Sequence, residues 1–258
     1  MTDRAGRSMS FGAIAGDYDR LRPRPPLEAV EWLLPARRDV VVDLGAGTGL
    51  LSRAIAPMAR RVIAVDPDDR MRSVLADRSP GVEVLAGRGE AIPLPDDSAD
   101  AVLVSSAWHW MDPDLAVPEI ARVLRDDGRF GVIWTGREQT PWLRADEWFP
   151  VGDGALAAPL GAGRTASERQ VAVLDPRVFH KIDTATFRFK RTMTIPDLVE
   201  WLTTYSRVIT ASDEAKAAGR ARATAALTDQ FPGATEIEVP MRSRCWRADR
   251  LARSPGRT

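Results

Sequence analysis

Two aspartates and three glycines stand at a spacing that can hold a small charged ligand. Asp43-Leu-Gly45-Ala-Gly47-Thr-Gly49 joins an apolar run of strand length to a stretch of helical periodicity. Glycines at such a turn let the backbone reverse tightly, let a ligand approach the main chain and expose the free amides of the helix start. A dinucleotide site needs G-x-G-x-x-G. Here the spacing is G-x-G-x-G, with Leu50 where the third glycine would fall. Asp43, two residues before the first glycine, repels a pyrophosphate and suits an ammonium, which it binds by a charge-assisted hydrogen bond. Asp66 closes the next apolar run, RVIAVD, 21 residues after Gly45. A carboxylate there can accept both hydroxyls of a ribose. Ribose with an ammonium-bearing tail and no phosphate is the description of S-adenosylmethionine.

A second chemical feature is SSAWHWMD, residues 105–112, where His109 stands between Trp108 and Trp110. Displacement of a methyl group from a sulfonium is an in-line reaction with a good leaving group, so positioning supplies most of the help, ~7–11 kcal/mol. A carboxylate acceptor needs no base at neutral pH, whereas a hydroxyl or carbon acid does. His109 is therefore read three ways: a catalytic base, a residue lining the pocket without taking a proton, or a ring that orders the loop. Trp108, Trp134 and Trp142 are candidate aromatic pocket walls, and core packing claims at least two of the tryptophans in this part of the chain, Trp110 first. Arg137, and Arg144 beside it in the same loop, are candidates to clamp a substrate carboxylate.

Positioning these groups requires alternating strands and helices. Strands are expected at Val40–Leu44, Arg61–Val65, Val82–Leu85, Ala101–Ser105 and Arg129–Trp134, and helices at Leu50–Met58, Arg70–Asp77 and Leu115–Leu124. Short, almost wholly apolar strands alternating with helices imply parallel strands covered on both faces. Ligands of such sheets sit beyond the carboxyl ends of the strands, which is where Asp43, Asp66 and Ser105–Asp112 fall. Gly152–Ser167 reads as a mobile loop or frayed helix. Phe179–Met193 alternates from Thr186 onward and reads as strand, Ile195–Tyr205 and Asp213–Leu227 as helices, and Glu236–Arg247 as a strand that closes the sheet with an antiparallel, hairpin-like edge. No linker separates independent domains, so 1–258 is expected to be one domain.

Composition narrows the classes further. The 36 basic and 36 acidic residues balance, which disfavours nucleic acid and acidic membrane surfaces as partners. Cys245 is the only cysteine, so neither an intrachain disulfide nor a cysteine metal cluster is available. The adjacent acids Asp68/Asp69, Asp96/Asp97 and Asp126/Asp127 read as helix starts or turns, not as ligands of an ion, and no metal is expected. His180 reads as structural or exposed. With no long apolar segment, a cytoplasmic protein is expected, starting at Met1 or Met9. Two rival readings remain: a cofactor-binding regulatory protein without turnover, and a nicotinamide-dependent oxidoreductase, which the missing third glycine and Asp43 oppose.

In these stretches the chain resembles the class I S-adenosylmethionine-dependent methyltransferases. VVDLGAGTGLL is similar to their first motif, RVIAVDPDDRM to the second, VEVLAGRGEAIPLPDDSAD to the segment that reaches the adenine, and ARVLRDDGRFGVIW to the helix and strand after the fourth strand. FGAIAGDYDRLRP, SAWHWMD and IWTGREQTPW, with TYSRV and RCWRA near the carboxyl terminus, resemble a small-molecule branch that includes trans-aconitate methyltransferase-like proteins. The resemblance implies an α/β, doubly wound, mostly parallel seven-stranded sheet with an antiparallel edge hairpin. It implies amino-terminal lid helices over 1–38, a cofactor core over 39–135, and substrate-side helices with closing strands over 136–258. It further implies that Asp43, Gly45 and Gly47 hold the methionine end, Asp66 the ribose, and Pro67 and Met71 the faces of the adenine. Gly89 and Glu90 would meet the adenine edge, Ser105, Ser106 and Ala107 would line the cofactor, and Tyr18 and Arg22 would form a lid. Arg88 departs from the Asp or Thr of many relatives, because a guanidinium offers no acceptor to the adenine amine. The expected partner is a small-molecule substrate, methylated on a carboxylate or hydroxyl oxygen, with the protein a monomer or homodimer.

Overall fold

The computed structural model describes residues 12, 14–150 and 174–252. Gly152–Ser167 and both possible start residues lie outside that range. The first elements are α1 (Ala15–Leu21), α2 (Leu27–Leu33), β1 (Val40–Leu44), α3 (Leu50–Ile55), β2 (Arg61–Asp66), α4 (Asp69–Arg78) and β3 (Glu83–Ala86). Next come β4 (Ala99–Ser105), a 3-10 turn at Trp108–Trp110, α5 (Pro113–Val123), β5 (Leu124–Arg137) and α6 (Ala145–Trp148). The described chain closes with β6 (Phe179–Met193), α7 (Ile195–Thr203), α8 (Ser206–Ile209), α9 (Asp213–Gln230) and β7 (Ile237–Arg250).

Seven strands form one sheet in the order β3-β2-β1-β4-β5-β7-β6. The first five are parallel, with Val42 level with Ile63 and Val102, Val65 with Leu85, and Leu103 with Gly131. The last two pair antiparallel: β7 runs against β5, and β6 runs against β7 and so in the direction of the first five. Arg129 meets Asp249 and Thr135 meets Ser243, so numbers rise on β5 as they fall on β7. Arg247 likewise meets Asp183 while Glu238 meets Lys190 across β7 and β6. The antiparallel edge therefore forms as expected, with helices α7 to α9 joining its two strands. The strand order reverses between β1 and β4, so the carboxyl ends of these strands frame the crevice where sheets of this kind bind ligands.

The described residues of Arg24–Thr135, Arg164–Phe187 and Ser243–Thr258 make one compact unit. Alternate residues of its strands serve opposite faces. Val40, Val42 and Leu44 pack with Ile120 and Val123 of α5, while Val41 and Leu103 pack with Val30 and Leu33 of α2 and Leu51 and Ile55 of α3. Covering both faces explains why every residue of β1 is buried. The described residues of Met1–Pro23, Gly136–Gly163 and Arg188–Arg242 make a second unit with its own core of Trp201, Leu202, Leu227, Val239 and Met241.

Most element bounds shift by one to three residues from the sequence reading, and β5 shifts more. It begins at Leu124 because its register jumps from Ala99–Leu124 to Ala101–Arg129, which loops out Asp126–Gly128. Asp127 takes a φ of 60° there, and Arg250 ties the loop by donating to the Leu124 carbonyl and to Asp126. The other acid pairs behave similarly: Asp68 caps α4 by accepting from the Arg70 and Met71 amides, and Asp97 sits at a φ of 50°.

Candidate functional site

The turn from β1 to α3 is built by main-chain bonds to the neighbouring strand. The Gly45 and Ala46 amides both donate to the Val65 carbonyl, at 2.8 and 3.1 Å. Gly45 has a φ of 70°, and a Cβ there would stand 2.7 Å from the Ala107 Cβ. Gly47 also has a positive φ, 56°, but a Cβ on it would meet nothing within 4 Å. The first glycine is thus demanded by packing. The second faces open space.

Asp43 is completely buried at the mouth of this turn. Its Oδ2 accepts the Ser52 hydroxyl at 2.5 Å, whereas Oδ1, equally buried, has no partner. Burial pushes its carboxyl up to about 7, the Ser52 hydroxyl and amide oppose the rise, and the nearby Asp66 adds to it. The Thr48 hydroxyl in the same turn is also buried without a partner.

Asp66 closes β2. Its Oδ2 accepts the Gly47 amide at 2.8 Å and its Oδ1 the Asp68 amide at 2.9 Å. Burial raises its carboxyl, and these two amides counter the effect. An ionised carboxylate has about four acceptor sites, so two stay open on Asp66 after both amides are served. Pro67 is exposed and Met71 is 5 % exposed.

The loop after β3 is joined to the loop after β4 through Met111. A Cβ on Gly89 would stand 2.6 Å from the Met111 sulfur, and one on Gly45 would stand 3.1 Å from its methyl carbon. Met111 thus abuts two of the expected site glycines, a role the sequence reading missed although the residue lies inside SSAWHWMD. The Glu90 carboxylate accepts the Asp112 amide at 2.8 Å and so fixes the end of that stretch. Arg88 is exposed. Ser105 and Ser106 are half-buried at the end of β4, with Ser106 at a φ of 54° and its amide bonded to the Ile133 carbonyl.

SSAWHWMD itself requires a correction. In a 3-10 turn successive side chains diverge by roughly 120°, so Trp108 and Trp110 cannot share a face. Trp108 is the buried one, 1 % exposed, with its ring centroid 5.2 Å from Phe130 and 6.4 Å from Trp246, both edge-on. It belongs to the core and is not a pocket wall, and Trp110, expected to be buried, is half-exposed. His109 is exposed, its ring 4.5 Å from that of Trp110. Trp134 is half-buried at the margin of the same core. Trp108→Ala should therefore cost ~3–5 kcal/mol in chemical denaturation, whereas Trp110→Ala should cost under half as much. Equal losses would contradict this placement.

The remaining expected residues lie in the second unit. The Arg22 guanidinium is 5.0 Å from the centre of the Tyr18 ring and 4.6 Å from that of Tyr205, and donates to the Thr204 carbonyl at 2.8 Å. Trp142 packs edge-on against Phe231 at 5.0 Å. Arg144 pairs with Glu147 at 3.1 Å on the surface. Arg137 differs from both: it is 7 % exposed and has no ion pair among the described residues. Among the described residues no three His, Cys, Asp or Glu side chains gather to hold a metal ion, and no helix is long and apolar enough to cross a membrane.

Comparisons with known proteins agree with this geometry. A family model described as a methyltransferase domain matches residues 42–132, from β1 into β5. An uncharacterized methyltransferase of Mycobacterium tuberculosis is 50 % identical over 142 residues, 55 % of this chain and 58 % of that protein. The match thus spans little more than half the length of that relative. An uncharacterized methyltransferase-like protein of Schizosaccharomyces pombe is 31 % identical over 213 residues, 80 % of this chain and 81 % of its own. The malonyl-[acyl-carrier protein] O-methyltransferase of Methylococcus capsulatus is 34 % identical over 176 residues, 63 % of this chain and 62 % of its own. A solved structure described as a type II methyltransferase, from Anaeromyxobacter dehalogenans, superposes with a TM-score of 0.70 at 25 % identity, covering 90 % of this chain and 99 % of its own. With a relative matched over four-fifths of both chains and the acid–glycine–acid turn in place, the chain belongs to the class I S-adenosylmethionine-dependent methyltransferases.

Proposed function

We propose that the protein transfers a methyl group from S-adenosylmethionine to an oxygen of a small metabolite, with a carboxylate as the favoured acceptor. One observation carries the cofactor reading: the acceptors left over at the β1 and β2 ends match the donors of that molecule. Asp43 Oδ1 is a buried acceptor without a donor, fit for an ammonium. Asp66 keeps two acceptor sites beyond those its amides use, fit for a ribose diol, and Gly47 leaves open space beside them. The bound cofactor would supply an electrophilic methyl on a sulfonium.

Asp43, Gly45 and Gly47 would hold the methionine end and Asp66 the ribose. Pro67 and Met71 would flank the adenine, with the backbone of Gly89 and Glu90 at its edge, since the Glu90 carboxylate is engaged with Asp112. Ser105 and Ser106 would line the cofactor, and Tyr18 and Arg22 are proposed as lid residues. The interleaving of both units along the chain supports treating 1–258 as a single methyltransferase domain.

Two observations favour a carboxylate acceptor. Arg137 is a residue buried to 7 % exposure with no counter-ion among the described residues, and a guanidinium binds a carboxylate by a bidentate contact. The Methylococcus relative is, by name, an O-methyltransferase. A carboxylate is already nucleophilic, so no base is needed, consistent with an exposed His109. His109→Asn should therefore leave turnover within about threefold and the pH–rate profile unchanged between pH 6 and 8. Loss of a limb near the ordinary imidazole value, about 6.5, would instead make His109 the base for a hydroxyl acceptor. Incubation with methyl-labelled S-adenosylmethionine and fractionated metabolites tests the function directly. Label should enter an organic acid as an ester, with a mass gain of one CH2. Cofactor binding without transfer to any fraction would make the chain a binding protein.

A further inference from the structure

We propose that Ser52 is a positioning residue for the cofactor's ammonium, acting through Asp43. This rests on the reading that Asp43 receives that ammonium. Ser52 lies in the first turn of α3, nine residues after Asp43, and both side chains are fully buried. Its hydroxyl donates to Asp43 Oδ2 at 2.5 Å. The hydroxyl commits one carboxylate oxygen to the protein, fixes the rotation of the group and leaves Oδ1 as the open acceptor. It also donates to the ionised form, which favours that form in a site where burial opposes it.

The charged groups facing Asp43 are few. Asp66 on β2 opposes ionisation, and Arg53 on α3 favours it. Asp66 is itself influenced by Asp68 and Arg72. From the other side β4 places Leu103 level with Asp43. Ser52 is therefore the principal group holding Asp43 in the charged form that an ammonium requires. Removing its hydroxyl should keep Asp43 protonated to higher pH, and a protonated carboxyl cannot pair with an ammonium.

The sign of the effect on the empty protein follows by linkage. A carboxyl raised to about 7 in the folded state, against 3.8 unfolded, binds more protons folded than unfolded between those values. Stability is greatest at low pH from this group, falls as pH rises through about 7, and is flat above it. In Ser52→Ala the fall should continue to higher pH, its upper end moving by roughly one to two pH units, the size of a charge-assisted hydrogen bond. Asp43→Asn should remove the slope. Ser52→Cys, isosteric but a weak donor, should resemble the alanine variant, and Ser52→Thr should restore the wild-type profile.

The experiment pairs urea denaturation of the cofactor-free variants across pH 5–9 with calorimetric titration of S-adenosylhomocysteine over the same range. The expected result is weaker binding below about pH 7 in the wild type, with that midpoint and the stability profile both displaced upward in Ser52→Ala. A loss of stability and affinity equal at every pH would reduce Ser52 to packing and overturn the proposal while leaving the cofactor site intact. Failure of the wild type to bind at any pH would overturn the cofactor reading, and this inference with it.

Discussion

Asp66→Ala is expected to weaken S-adenosylhomocysteine binding by at least ~100-fold, the cost of two hydrogen bonds to a charged acceptor at ~1.5 kcal/mol or more each. The carboxylate does two jobs. It accepts the Gly47 and Asp68 amides, so it shapes the β1–α3 turn and the start of α4, and its remaining acceptor sites are the proposed ribose contacts. Alanine leaves both amides unserved and removes both ligand contacts. Asp69→Ala is the control: Asp69 is exposed in the first turn of α4, and its loss should leave affinity within about threefold. Calorimetric titration at pH 8 measures both. Equal affinities for the two variants would place the ribose elsewhere.

Gly47→Ala should separate folding from binding. The added methyl meets nothing within 4 Å, so the fold bears only the strain of a left-handed conformation, ~1 kcal/mol, or a loss of about 2–4 °C in Tm for a domain of this size. The space it fills is the proposed approach of the cofactor to the main chain, so binding should fall by tenfold or more. Gly45→Ala should behave differently. Its methyl would collide with Ala107 at 2.7 Å, and the protein should lose stability as well as affinity. Gly47→Ala with unchanged affinity would show that the open space beside Gly47 is not where the cofactor lies.

Much of this site was legible in the sequence because it depends on local order. A continuous apolar strand must be buried on both faces, so VVVDL and RVIAVD fixed the strand ends, and with them the places of Asp43 and Asp66. The antiparallel edge was legible from the alternation in β6, whose burial alternates as expected. What escaped detection depends on contacts distant in sequence or on side-chain direction. Ser52 was passed over because a serine inside a helical stretch carries no signal until α3 folds back onto Asp43. Met111 was hidden because its contacts, Gly45 and Gly89, lie far from it along the chain. Trp108 and Trp110 were exchanged because alternation does not describe a 3-10 turn. Arg22 sits beside Tyr205, more than 180 residues away, a distance no motif spans. The start of β5 was misplaced for the same reason, since Arg250 holds the loop that moves it.

The most direct test of the central claim is a calorimetric titration of the wild-type protein with S-adenosylhomocysteine at pH 8, where Asp43 is ionised. One molecule should bind per chain with Kd near micromolar, about −8 kcal/mol. That binding should weaken by at least ~100-fold in Asp66→Ala and persist in Asp69→Ala. Absence of heat up to millimolar ligand, or tight binding of NAD in its place, would contradict the assignment of the β1–β2 edge to S-adenosylmethionine.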